Sequence, residues 1–128
     1  MGDQKEIRIL IAASQTSIRN GLKMFLNEEN GLHVVAEAGD SHELLKKIES
    51  TCPNVVLLDW DVLDRSTPIL IKTICESDKK LTTIVLSAES DHQQIALDAG
   101  AAAFVNIGNP PKELLATINE LYRTKQLD

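Results

Sequence analysis

Four apolar residues, Val55 to Leu58, run directly into a carboxylate, Asp59. A strand with one wet face alternates apolar and polar residues. An unbroken run of valine and leucine instead predicts a strand buried on both faces. Such strands belong to parallel sheets covered by helices on both sides. Asp59 then stands where the strand leaves the core. In open α/β sheets, ligands gather beyond the carboxyl ends of the strands, so Asp59 is a candidate for chemistry.

The rest of the chain supplies the partners that such a strand needs. Strands are expected at Glu6–Ala12, Leu32–Ala38, Asn54–Asp59, Thr82–Ser87 and Ala102–Asn106. Ser14 or Thr16 can cap a first helix whose apolar face carries Ile18, Leu22, Phe25 and Leu26, with Asn30-Gly31 ending it. Asp40 with Glu43 reads as a capping-box variant, and Leu44, Leu45 and Ile48 form the inward face of a second helix. Pro68 suits the first position of a third helix running to about Ser77. Ser90 or Asp91 caps a fourth helix through Ala99, which Gly100 stops. After Pro110-Pro111, the residues Leu114, Leu115, Ile118, Leu121 and Tyr122 line a fifth helix. Strict alternation of five strands and five helices predicts one α/β domain over residues 1–128, structured over roughly 6–125. The expected architecture is a flavodoxin-like (βα)5 three-layer sandwich with a parallel sheet of order 2-1-3-4-5.

Composition narrows the function. The 128 residues carry 13 basic and 19 acidic side chains, a net charge of −6. That balance argues against this domain gripping a nucleic-acid backbone directly, because such binding depends on clustered Lys and Arg. Four aromatics (Phe25, Trp60, Phe104, Tyr122) are too few for a base-stacking platform. Cys52 and Cys75 match no zinc or redox spacing and read as two buried thiols in a reducing compartment. No apolar run of membrane-spanning length and no signal-peptide pattern is present, so the expectation is no membrane association and a cytoplasmic location.

Several segments, in order, resemble a known family. Ile9-Leu-Ile-Ala12 with Arg19-Asn-Gly-Leu22, then Val34-Val-Ala-Glu-Ala38 before Gly39-Asp40, resemble the opening of response-regulator receiver domains. Pro53-Asn-Val-Val-Leu-Leu-Asp59 resembles the strand that carries their phosphorylated aspartate. Ile84-Val-Leu-Ser-Ala88 is similar to their switch strand, and Ala99-Gly100-Ala101 with Phe104 to the approach to their fifth strand. The resemblance covers nearly the whole chain. It is closest to the subgroup that usually carries a C-terminal helix-turn-helix output domain.

The resemblance implies a two-component signalling role and a set of site positions. Asp59 falls at the phosphoacceptor, Ser87 at the phosphate-binding hydroxyl and Phe104 at the switch aromatic. The family holds Mg²⁺ with an acidic pair after the first strand, and that pair falls at Ala13 and Ser14. Its phosphate-neutralising lysine falls at Ile107, or at Asn106 with a one-residue slip. Val62-Leu63 replaces the usual Met-Pro after the aspartate. Transfer of a phosphoryl group to a carboxylate accumulates negative charge that a metal and a cation normally offset. The expectation is therefore an atypical receiver, not an enzyme, with no cofactor, acting through protein partners such as a histidine kinase. A homodimer through the face of the fourth helix, fifth strand and fifth helix belongs to that expectation.

Three alternatives stand beside it. In a conventional receiver, Asp59 is phosphorylated with Mg²⁺, Asp61 or Asp64 substitutes for the missing carboxylates, and a C-terminal DNA-binding domain regulates transcription. A flavin- or nucleotide-binding domain of the same class is the second, suggested by the hydroxyl-rich loop from Ala12 to Ser17. Purely structural roles are the third: Ser87 bonding its own loop, Phe104 packing, and Trp60 packing at the pocket edge or anchoring a partner. His33, His42 and His92 share no ligand spacing and read as ordinary surface or edge residues.

Overall fold

Each apolar run becomes a strand. The computed structural model describes residues 6–62, 66–78 and 80–127. Strands β1 (Ile7–Ala12), β2 (Leu32–Ala38), β3 (Val55–Asp59), β4 (Thr82–Ser87) and β5 (Ala103–Asn106) alternate with five helices. These are α1 (Thr16–Asn27), α2 (Ser41–Thr51), α3 (Thr67–Ser77), α4 (His92–Ala99) and α5 (Lys112–Leu127). All pairings are parallel, as the alternation predicts, and the strand order is β2-β1-β3-β4-β5, the flavodoxin-like order expected for five such units. Among the described residues, no helix is long and apolar enough to cross a membrane.

The central position of β3 explains its composition. All five of its residues are buried. Val56 and Leu58 face a core completed by Leu44 of α2, Leu70 and Ile74 of α3, and Ala96 of α4. Val55 and Leu57 face the opposite core, with Leu26 of α1 and Ile118 of α5. Full burial of each such side chain stabilises the fold by about 1.5–3 kcal/mol, so this strand anchors both layers. β1 pairs with β2 through a bulge: Ile9 lies opposite Val34 but Leu10 opposite Ala36. The extra residue lets β2 follow the sheet twist at its edge.

Local details depart from the sequence reading where tertiary contacts compete. Neither Ser14 nor Thr16 caps α1; Gln15 holds that position without a side-chain cap bond. α1 also ends at Asn27, ahead of Asn30-Gly31. Gly31 has φ 88°, and its carbonyl accepts from Ile7 N–H at 2.7 Å, so it serves the turn into β2. α3 starts one residue early, with Thr67 ahead of Pro68. Leu45 is exposed, because the inward stripe of α2 is Leu44 and Ile48. The Asp40 cap is found as expected, accepting from Glu43 N–H at 2.8 Å. The Glu43 carboxylate reaches back to Gly39 N–H at 2.7 Å, one residue earlier than the usual capping box. Both cysteines are free, but Cys52 is exposed: it takes the left-handed cap of α2, at φ 47° on the surface.

Candidate functional site

The register sets the order of residues along the carboxyl edge of the sheet. Ala12 pairs with Leu58, so Ala13 and Asp59 emerge side by side from β1 and β3. Asp59 pairs with Leu86, which puts Ser87 one step further along β4. Ser87 pairs with Asn106, and Ile107 N–H donates to the Ser87 carbonyl at 3.0 Å. Ala13 N–H in turn donates to Ala38 of β2 at 3.0 Å. Ala38, Ala13, Asp59, Ser87 and the Asn106–Ile107 pair thus follow one another across the edge. The sequence-predicted site residues are brought to one line by the backbone alone.

Asp59 is 7% exposed. Burial pushes its carboxyl above the ordinary value of 3.8; the backbone N–H of Asp61 lowers it and the Asp61 charge raises it further. That N–H lies at 3.4 Å from Oδ1, a long bond. A buried carboxylate ordinarily finds a cation or several donors. Among the described residues, no lysine or arginine forms an ion pair with Asp59. Ala13 beside it is fully buried and offers only a methyl group, and Ser14 is exposed. Ile107 is 52% exposed at the other end of the line. No three His, Cys, Asp or Glu side chains gather to hold a metal among the described residues. Asp61 is exposed; Leu63 and Asp64 lie outside the described residues.

Ser87 is engaged elsewhere. Its hydroxyl, 4% exposed, accepts from Glu89 N–H at 3.0 Å and lies 2.8 Å from Nδ1 of His92. The His92 ring stacks on the Trp60 indole, with centroids 3.9 Å apart and planes 8° from parallel. Trp60 directly follows Asp59 in a single 3₁₀ turn, Trp60–Val62, and its carbonyl accepts from the Thr67 hydroxyl at 3.1 Å. The ends of β3 and β4, the start of α3 and the start of α4 therefore meet at one corner. His92 was expected to be an ordinary surface or edge residue; the fold places it in this cluster. No spacing could reveal that contact, because residues 60 and 92 meet only through the packing of β3 against β4. Phe104 is half-buried and packs against the core shared by α3 and α4.

The β1–β2 side of the same edge is built differently. Arg19 of α1 donates from Nη1 to the carbonyls of Ala13 at 2.6 Å and Ser14 at 3.3 Å, and from Nη2 to the Thr16 hydroxyl at 3.2 Å. Its Nε lies 3.3 Å from Glu37 of β2, whose second oxygen takes Lys23 Nζ at 3.0 Å. Its ion-pair partner Glu37 lies on β2, which β1 separates from β3 and Asp59. The Lys23 hydrogen bond lowers the Glu37 carboxyl below its usual range, burial opposes it, and the charges of Lys23 and Arg19 assist. Arg19 stands in the run Arg19-Asn-Gly-Leu22, whose residue types alone give it no role. The signal available was its place four residues after the Gln15 cap, from which a helical side chain reaches back over its own entry loop.

A model of the response regulator receiver domain matches residues 9–119. The chain belongs to the receiver-domain family. It is 33% identical over 113 residues to the "uncharacterized transcriptional regulatory protein YhcZ" of Bacillus subtilis (strain 168), covering 87% of this chain and 53% of that one. It is 27% identical over 120 residues to the oxygen regulatory protein NreC of Staphylococcus aureus (strain JH9), covering 91% of this chain and 55% of that one. The chain thus spans about half the length of the curated relatives it matches. Among solved structures, a CheY-like receiver domain from Methanospirillum hungatei JF-1 superposes with a TM-score of 0.83 at 26% identity, covering 95% and 98% of the two chains. A LuxR-family response regulator from Aurantimonas sp. SI85-9A1 shares the fold, with a TM-score of 0.85 at 24% identity over 91% and 85%. The protein is therefore a receiver domain of two-component response regulators, the fold and family that the ordered motifs resembled.

Proposed function

We propose that this receiver is atypical: a signalling interaction module whose output does not depend on Mg²⁺-assisted phosphorylation. The observation that carries this reading is the isolation of Asp59 among the described residues. It is buried beside the Ala13 methyl, holds one long N–H bond, and its nearest edge partner, Ser87, is bonded to His92. Mg²⁺ demands near-octahedral oxygen coordination and is usually held by one or two carboxylates with water. In the receiver site the carboxylate pair falls at Ala13 and Ser14, which supply no charge, and the phosphate-neutralising lysine falls at Ile107. The described donor set does not fit the ion, so no phosphoryl-transfer step is assigned through it.

The same edge retains Asp59 at the acceptor position and Ser87 at the hydroxyl position, which favours a conventional receiver as the second reading. That version needs Mg²⁺ and a substitute carboxylate at Asp61 or Asp64. The names of the relatives support an output in transcription for a longer protein, through a DNA-binding helix-turn-helix domain that follows this one. In either reading residues 1–128 form one receiver unit that acts in the cytoplasm, without enzymatic turnover of an external substrate. Its partners are proteins, a histidine kinase among them, and a second copy through α4, β5 and α5, with Phe104 at the switch position.

Trp60 is the single tryptophan and adjoins Asp59, so its emission reports metal entry directly. Titration with Mg²⁺ to the millimolar range should leave the emission flat. A saturable quench or shift that disappears in Asp59→Asn would establish the conventional reading instead.

A further inference from the structure

We propose that His92 is a latch on the receiver pocket, a positioning residue that ties the first turn of α4 to the end of β3 and withholds the Ser87 hydroxyl from Asp59. Two contacts made by one ring carry the proposal: Nδ1 lies 2.8 Å from Ser87 Oγ, and the ring face covers the Trp60 indole at 3.9 Å. The Ser87 oxygen accepts from Glu89 N–H at 3.0 Å, and in the tautomer of His92 that carries its proton on Nε2, Nδ1 is an acceptor that takes the Ser87 proton. A hydroxyl has a single proton to give. While it points to His92 it is not donated to an acceptor on Asp59, although β3 and β4 place the two residues one register step apart. Stacking adds a second constraint, because the imidazole cannot leave Ser87 without uncovering Trp60. A charged or phosphate-like oxygen arriving at Asp59 must therefore compete with His92 for Ser87, and winning that competition leaves α4 tied to β3 by the stack alone. The withholding half rests on reading Asp59 and Ser87 as the receiver pocket; the tether between α4 and Trp60 stands without it.

The test uses the whole chain, free of ligand. His92→Ala should shift the emission of Trp60 to the red and change its intensity, with the far-ultraviolet circular dichroism unchanged. Amide exchange over residues 88–96 should quicken by roughly fivefold or more, the scale expected when one modest contact is lost, with residues 41–51 unaffected. Ser87→Ala should move the same two readouts in the same direction by less, since the stack survives. His92→Phe, which keeps a stacking ring but no nitrogen, should hold emission near wild type while exchange quickens. Wild-type emission and exchange in both His92→Ala and Ser87→Ala would overturn the latch. These readouts need neither metal nor phosphodonor, so labelling of Asp59 would refute the atypical reading while leaving the latch intact.

Discussion

The carboxyl edge of the sheet holds two acids with opposite surroundings, Asp59 buried and Glu37 partly exposed. Glu37, at the end of β2, has Lys23 and Arg19 on its two oxygens, and its carboxyl is held below the ordinary range. Asp59, at the end of β3, has one distant N–H and a second carboxylate nearby, and burial pushes its carboxyl up. Among the described residues, the cations paired at this edge, Arg19 and Lys23, tie α1 to the β1–α1 loop and to β2, and none pairs with Asp59. A buried, unpaired carboxylate weakens a fold, whereas a paired one contributes to it. Among the described residues, ion pairing is thus found on the β2 side of the edge and not at Asp59.

The largest effect should come from removing the hub of the paired side. Arg19→Ala deletes bonds to two carbonyls, a hydroxyl and a carboxylate, and should cost about 2 kcal/mol in urea unfolding, the scale of charge-assisted hydrogen bonds. A loss no larger than that of an exposed charge would dissolve the contrast between the two regions. Asp59→Asn should do the opposite and stabilise the neutral-pH protein by about 1 kcal/mol, the scale of relieving an under-satisfied buried group. The sign follows from linkage. A folded-state pKa above 3.8 gives Asp59 a contribution that is full below that value and lost as pH rises through the folded pKa. The advantage of the asparagine variant should therefore shrink as pH falls towards 4, as followed by thermal unfolding across pH.

Glu37→Gln should destabilise by roughly 0.5–1 kcal/mol at neutral pH, because its carboxylate is partly buried and doubly paired. Here the linkage runs the other way. The contribution is present above the ordinary 4.5 and is lost as pH falls through the lowered folded pKa, so wild type and variant should converge in acid. Lys23→Ala should show the smallest change, about 0.3 kcal/mol and abolished by salt, because its side chain is 47% exposed. Convergence of the Asp59 and Glu37 variants on one pH profile would mean that the two acids are equivalent after all.

The fold was legible because its determinants are local. Buried strands announce themselves as apolar runs such as Val55–Leu58, and alternation with helices leaves few topologies. The line of Ala13, Asp59, Ser87 and Ile107 was legible through the family resemblance, which assigns site positions to them; by itself only Asp59 stood out, as the acid ending a buried run. The partners of those residues were not legible. Arg19 and His92 act by reaching across elements, and their direction depends on helix placement rather than on sequence spacing. The bonds of Ser87 to His92 and Glu89 form at the turn into α4, where the sequence shows a mostly polar run, Ser87-Ala-Glu-Ser-Asp-His92. The missing caps on α1 and the exposed Cys52 show the same limit at smaller scale: a residue type suggests a role, and neighbouring backbone decides whether the role is filled.

In the proposed reading Asp59 stands, among the described residues, without the charges that phosphorylation needs. Incubation with acetyl phosphate and excess Mg²⁺, followed by intact-mass measurement beside Asp59→Asn, puts it to the most direct test. The account predicts that neither protein gains the mass of a phosphoryl group. A stoichiometric, hydroxylamine-labile adduct on the wild type that is absent from Asp59→Asn would contradict it.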